Sequence, residues 1–139
     1  MNKGHWIYNG PDFEISEYEG FCYLITNILS GRKYIGKKSF WSRTTKKIVG
    51  KRNKRVTKES NWKTYTSSSK IINEEIGAGE TFTYEIISLH TSKGALAYAE
   101  VDNLVRRDAL RSRSANGTRS YYNGCIPGIK FIPPDEKIK

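Results

Sequence analysis

Cysteine is scarce in this chain: Cys22 and Cys125 stand alone, and neither belongs to a CxxC pair. That argues against a disulfide framework or a thiolate zinc site, and makes a reducing cytoplasm the expected compartment. Long apolar runs are missing too. The longest candidates, GALAYA and CYLI, fall far short of the roughly 18 residues a membrane span needs. The N-terminus lacks a charged region followed by an apolar one, so no signal peptide and no membrane partner are expected. Acid is what the middle of the chain lacks most. Between Gly31 and Lys70 there are 14 Lys or Arg residues and a single carboxylate, Glu59.

The acids sit elsewhere, with Asp12, Glu14, Glu17 and Glu19 crowding the N-terminal segment of a chain whose net charge is +10. A cationic block attracts a polyanion, and nucleic acid is the commonest one. A lone basic run can also be a solvated or localisation tract. Here it is interleaved with Trp41, Trp62, Tyr65 and many Ser and Thr residues, which suits a surface that tracks phosphates. Lys37, Lys38, Lys51, Arg52, Lys54, Arg55 and Lys63 are the expected contacts.

The 139 residues fit one domain with a single core. Residues 1–19 read as an irregular arm or short edge strand. Gly20 to Ile28 is nearly continuous apolar sequence, the pattern of a strand covered on both faces. Ser30-Gly31 supplies a turn and residues 33–37 a second strand. Residues 39–66 have no clear period and form a basic insertion, a short helix or a hairpin. Ser67 to Ile76 reads as a helix with Ile71, Ile72 and Ile76 inward, ended by Gly77 and Gly79. Residues 81–89 alternate as a third strand. Thr91 or Ser92 caps a helix to about Leu110, with Ala97, Val101, Leu104 and Val105 inward. Residues 111–120 form a polar loop, and the tail from SYYNG to PPDEKIK carries little regular structure. The expected fold class is α/β, a small sandwich with the order β-β-α-β-α around a three-stranded, mostly antiparallel sheet.

If Ser30-Gly31 is a two-residue turn, Asn27 faces Tyr34, Ile25 faces Gly36 and Tyr23 faces Lys38. Tyr23, Ile25, Asn27, Tyr34, Gly36 and Lys38 then share one face. Cys22, Leu24, Ile28 and Ile35 take the other, a core face. Two phenols, a lysine and a space-leaving glycine converge, although strand tyrosines are most often packing residues.

Tyr23, and Tyr34-Ile35-Gly36 eleven residues on, resemble the paired motif of the GIY-YIG nuclease superfamily. Glu100 in AYAEVDNLVRRD and Asn123 in SYYNG extend the resemblance over residues 20 to 126. It is nearest to small free-standing bacteriophage proteins of that superfamily, related to homing endonucleases, which would place the chain in a host-cell cytoplasm. The first motif's Gly-Ile is Phe21-Cys22 here. The family's arginine falls on Arg43, with Arg52 and Arg55 as alternatives. A histidine often found after it is missing, and Lys63 or Tyr65 is the candidate to replace it.

The resemblance implies a DNA endonuclease using Mg²⁺ or Mn²⁺ held by Glu100, since one carboxylate suits an ion that keeps several waters. Tyr23 would act as general base, helped by positive charge from Lys38 and the metal, because a free phenol titrates near pH 10. Tyr34 would orient water or phosphate, Arg43 clamp the scissile phosphate, and Asn123 brace the backbone. One site cuts one strand, so a double-strand break would need a dimer or two events. A nucleic-acid-binding protein without catalysis is the alternative, since it needs only the basic block and the aromatics.

Overall fold

A computed structural model describes residues 1–129. The PPDEKIK part of the tail lies outside them. Three antiparallel strands form the central sheet in the order β2-β1-β5: β1 (Gly20–Asn27), β2 (Lys33–Ser39) and β5 (Phe82–His90). The insertion is a hairpin, β3 (Trp41–Lys46) with β4 (Lys54–Glu59). The helices are α1 (Lys70–Gly77) and α2 (Lys93–Arg106), with short 3-10 turns at Ile15–Glu17 and Trp62–Thr64. The α/β class and the β-β-α-β-α order are as expected from the sequence.

Strand β1 is central and buried on both faces. Phe21, Tyr23 and Ile25 join an aromatic layer with Trp6, Phe40 and Trp62, all between 0% and 3% exposed. Leu24 and Ile35 pack on the other side against Leu104 of α2. Phe21 and Cys22, which replace the family's Gly-Ile, are therefore core residues with no exposure at all. The N-terminal arm is part of this core. Trp6 donates from its indole to the Trp62 carbonyl at 2.5 Å, and Ile7 bridges β5 through bonds to Tyr84 and Ile86.

Several local expectations are corrected. The β1–β2 connection is not a two-residue turn. The Asn27 carboxamide accepts from the N–H groups of Leu29 and Ser30, and Gly31, at φ +74°, donates to the Asn27 carbonyl. The loop thus spans residues 28–31, Ile28 is 59% exposed in it, and Tyr23 pairs with Gly36 and Ile25 with Tyr34. The register moves by two residues, an even shift, so the predicted sharing of faces survives.

Helix α1 begins only at Lys70, because Ser67 has φ +84° and Ser69 caps the first turn. Ile72 is its buried residue, while Ile71 is 48% exposed. Helix α2 is capped by Ser92 and ends at Arg106; Asp108, at φ +51°, turns the chain away. Its buried strip is Leu96, Glu100 and Leu104, four residues apart, and Val105 points outward. The SYYNG segment is tied to β2: Lys33 bonds Ser120 and Tyr122 through the backbone. The Asn123 side chain grips both the N–H and the carbonyl of Ile35, at 2.9 and 2.8 Å.

Candidate active site

Tyr23 owes its position to a bulge and a missing side chain. The β1–β5 register slips between Cys22, opposite Ser88, and Tyr23, opposite Ile86, which leaves Ile87 as an extra residue. Such bulges re-aim neighbouring side chains. Across the other ladder stands Gly36, where a Cβ would fall inside the Tyr23 phenol. The YIG glycine is there to make room for the first tyrosine.

Tyr34 lies beside Tyr23, with ring centroids 6.2 Å apart and planes 29° from parallel. Tyr65, one of the two residues offered in place of the missing histidine, meets Tyr23 edge-on at 6.1 Å. Lys38 places its Nζ 4.2 Å from the centre of the Tyr65 ring. The other offered residue, Lys63, is turned to Glu59 at 3.7 Å. His5, which the sequence did not connect to this region, stacks on Tyr84 at 3.7 Å and hydrogen-bonds the Tyr65 carbonyl through Nε2 at 2.9 Å. No local pattern could have shown this, because sixty residues separate the partners.

Glu100 is 9% exposed and forms no hydrogen bond or salt bridge among the described residues. Burial raises its pKa above the ordinary carboxylate value, with the charge of Lys37 opposing that shift. An unpartnered carboxylate held near a protein surface fits an external cation. Among the described residues no group of three or more His, Cys, Asp or Glu could hold a metal, so water and substrate oxygens would supply the other ligands.

The phenols correct one electrostatic expectation. Burial first, then Tyr65, Tyr34 and Glu100, push the Tyr23 pKa far up. Tyr34 is raised by burial, against a hydrogen bond from Ser68 that lowers it. Lys38 itself is lowered by burial and does not bring the Tyr23 phenol down. Both shifts favour the protonated phenols in the ligand-free protein.

Arg43 is not aimed at an open site. Its two terminal nitrogens grip the Glu19 carboxylate at 3.0 and 2.8 Å, and Ser39 donates to the same acid at 2.6 Å. Burial acts against the Glu19 charge, yet these bonds hold its pKa below the ordinary value. The alternatives, Arg52 and Arg55, lie exposed on the hairpin with Lys51 and Lys54. Lys37 is exposed on the face of β2 turned to α2, where its charge acts on Glu100 and Cys22, and Lys38 is half-buried on the tyrosine face.

The structure therefore brings together Tyr23, Tyr34, Lys38 and Tyr65, with Glu100 acting electrostatically on both motif tyrosines. It leaves Arg43, Lys63 and the hairpin cations outside that cluster, and Asn123 behind it as a brace on β2. No curated protein and no solved structure matches the chain. A family model described as "Putative endonuclease segE, GIY-YIG domain" matches residues 6–126, which include both tyrosines, Glu100 and Asn123. The chain belongs to that GIY-YIG family.

Proposed function

We propose that this protein is a metal-dependent DNA endonuclease whose catalytic face is built from Tyr23, Tyr34, Lys38, Tyr65 and Glu100. The observation that carries this reading is Glu100, a residue only 9% exposed whose carboxylate makes no hydrogen bond or salt bridge among the described residues and acts on two adjacent phenols. Glu100 would hold Mg²⁺ or Mn²⁺, which when bound supplies Lewis acidity and a more acidic water.

The remaining chemistry falls to the chain's own groups. Tyr65 meets the Tyr23 ring edge-on and helps to raise the Tyr23 pKa, which supports a relay between the two phenols. As water attacks phosphorus and the bond from phosphorus to the leaving sugar oxygen breaks, the water's proton passes to the Tyr23 Oη while the Tyr23 proton moves to the Tyr65 Oη, and the leaving oxygen takes a proton from solvent water. The Tyr65 proton then leaves toward solvent. This passage lets a phenol with a raised pKa accept a proton without first becoming a phenolate. Tyr34 orients a phosphate oxygen, and Lys37 and Lys38 offset the negative charge that grows in the transition state.

The β3–β4 hairpin supports a DNA substrate. It is a two-stranded ribbon, exposed along most of its length, with Lys46 directly opposite Lys54. Like charges across a ladder repel, and a polyanion relieves that repulsion. A ribbon of this kind also fits the major groove of B-DNA. Free thiols at Cys22 and Cys125 support action in a reducing cytoplasm.

Supercoiled plasmid incubated with Mg²⁺ or with EDTA tests the proposal. Wild type should give nicked and then linear DNA only with Mg²⁺, and Glu100→Ala should give neither. Plasmid that stays supercoiled with active-site-intact protein, while still bound, would favour a binding protein without catalysis.

A further inference from the structure

We infer that the cleft between the β1–β2 loop and the 112–120 turn is a second phosphate-binding surface, which seats the nucleic-acid backbone beyond the catalytic tyrosines. The inference rests on the nuclease reading above and names a part of the substrate contact that lies off the basic hairpin. The cleft has a volume of about 990 Å³ and is lined by Arg32, Lys33, Arg113 and Arg119, with one acid, Glu75. Serine and threonine hydroxyls of the 112–120 turn complete its wall.

The way these cations are held is what marks the site. Arg32 donates from Nε to the Tyr121 carbonyl at 3.4 Å, and Lys33 from Nζ to the Gly31 carbonyl at 3.0 Å. Arg113 donates to the Gly117 carbonyl at 2.9 Å, and Arg119 to the Asn123 carbonyl. None of the four pairs with a carboxylate among the described residues. A carbonyl orients a cation without neutralising it, so four positive charges remain directed and unspent. Arg43, Arg106 and Arg111 behave differently, each bonding an acid within 2.8 Å. The single acid of the cleft is engaged as well, since Glu75 accepts from the Tyr122 hydroxyl at 2.5 Å. Arg32 lies 4.4 Å over the Tyr122 ring, which packs its guanidinium against an aromatic face. A planar guanidinium suits phosphate oxygens.

The cleft adjoins the start of the strand that carries Tyr34. Lys33 precedes Tyr34 on β2, and Arg119 anchors the carbonyl of Asn123, whose amide holds Ile35. From Lys33 to Gly36 the strand advances about 10 Å at ~3.3 Å per residue, close to three ~3.4 Å steps of nucleic acid. An open, polar wall of this kind fits a running phosphate backbone better than a free nucleotide, which would need an enclosed place for its base.

The test uses cleavage-silent Glu100→Ala protein and a labelled DNA duplex, with affinity followed against salt. Adding Lys33→Gln and Arg113→Gln should lower the magnitude of the log–log salt slope by about 1.8, at ~0.9 per phosphate lost. The charge-keeping pair Lys33→Arg and Arg113→Lys should restore most of it. Thermal unfolding monitors the fold, and if the double variant melts early, Arg113→Gln alone should still lower the slope by about 0.9. An unchanged slope in these variants, with a lowered slope for Lys51→Gln plus Arg55→Gln, overturns the cleft and leaves the nuclease reading standing. A Glu100→Ala parent that binds no DNA at low salt overturns both.

Discussion

Tyr23 stands directly across from Gly36, and its phenol occupies the volume that any side chain at Gly36 would need. The ring cannot step aside, because Trp6, Tyr34 and Tyr65 surround it and Tyr23 is 1% exposed. Gly36→Ala should therefore cost about 1–3 kcal/mol by overpacking. It should also slow single-turnover cleavage by displacing the hydroxyl. Urea midpoints and rapid-quench rates report the two effects separately.

Deleting hydroxyls tests the phenol relay. Tyr23→Phe should lower the saturated cleavage rate by about 10²–10⁴ while DNA affinity holds. Tyr65→Phe should slow it as well. A Tyr65→Phe enzyme as fast as wild type would remove the relay and leave Tyr23 to pass its proton elsewhere. The same burial gives a stability signature. A folded pKa above the ordinary 10.0 means stability is intact below pH 10 and falls as pH rises past it. Tyr23→Phe should flatten that alkaline decline.

The two faces of the β1–β2 hairpin were readable in the sequence because alternation is blind to a two-residue shift. The loop was not, because the reading gave Ser30-Gly31 the turn and overlooked the Asn27 side chain that organises residues 28–31. In α2 the apolar pattern pointed to Val101 and Val105. The strip that packs contains Glu100, which no hydrophobicity rule would select. The Arg43–Glu19 pair and the support of Tyr65 by His5 join distant segments, and periodicity carries no such information.

A Glu100 variant tests metal binding apart from folding. Wild type should melt higher with Mg²⁺, by about 2.7 kcal/mol of added stability at a hundredfold excess over the dissociation constant. Glu100→Ala should lose that shift and cleave nothing. Without metal it should melt no lower than wild type, since partial burial already disfavours the charged Glu100 carboxylate. EDTA should return the wild-type melting point to its metal-free value.

Glu19→Gln addresses the arginine. Its carboxyl is held below the ordinary 4.5, so the stability it contributes is present above that pH and lost as pH falls through the lower folded value. The variant should melt earlier at neutral pH and show a flatter acid limb. If Arg43 serves as a phosphate clamp once released, cleavage should hold or rise in Glu19→Gln and collapse in Arg43→Ala. Equal losses in both would make the pair structural.

The hairpin cations make a cleaner case. Lys51, Arg52, Lys54 and Arg55 are exposed and make no side-chain hydrogen bond or salt bridge among the described residues. Changing all four to Gln should reduce the salt slope by up to about 3.6 and leave the melting point nearly unmoved. A fluorescent duplex titrated at several salt concentrations reads the first, and calorimetry the second.

The bonds that Ser120, Tyr122 and Asn123 make to β2, and those Ile7 makes to β5, act as covers on both borders of the sheet. Backbone groups at 33–35 and 84–86 are already occupied, so a second molecule cannot extend the ladder there. Two copies meeting on DNA would have to touch through other surfaces. Any assembly that cut both strands would share no sheet at these positions.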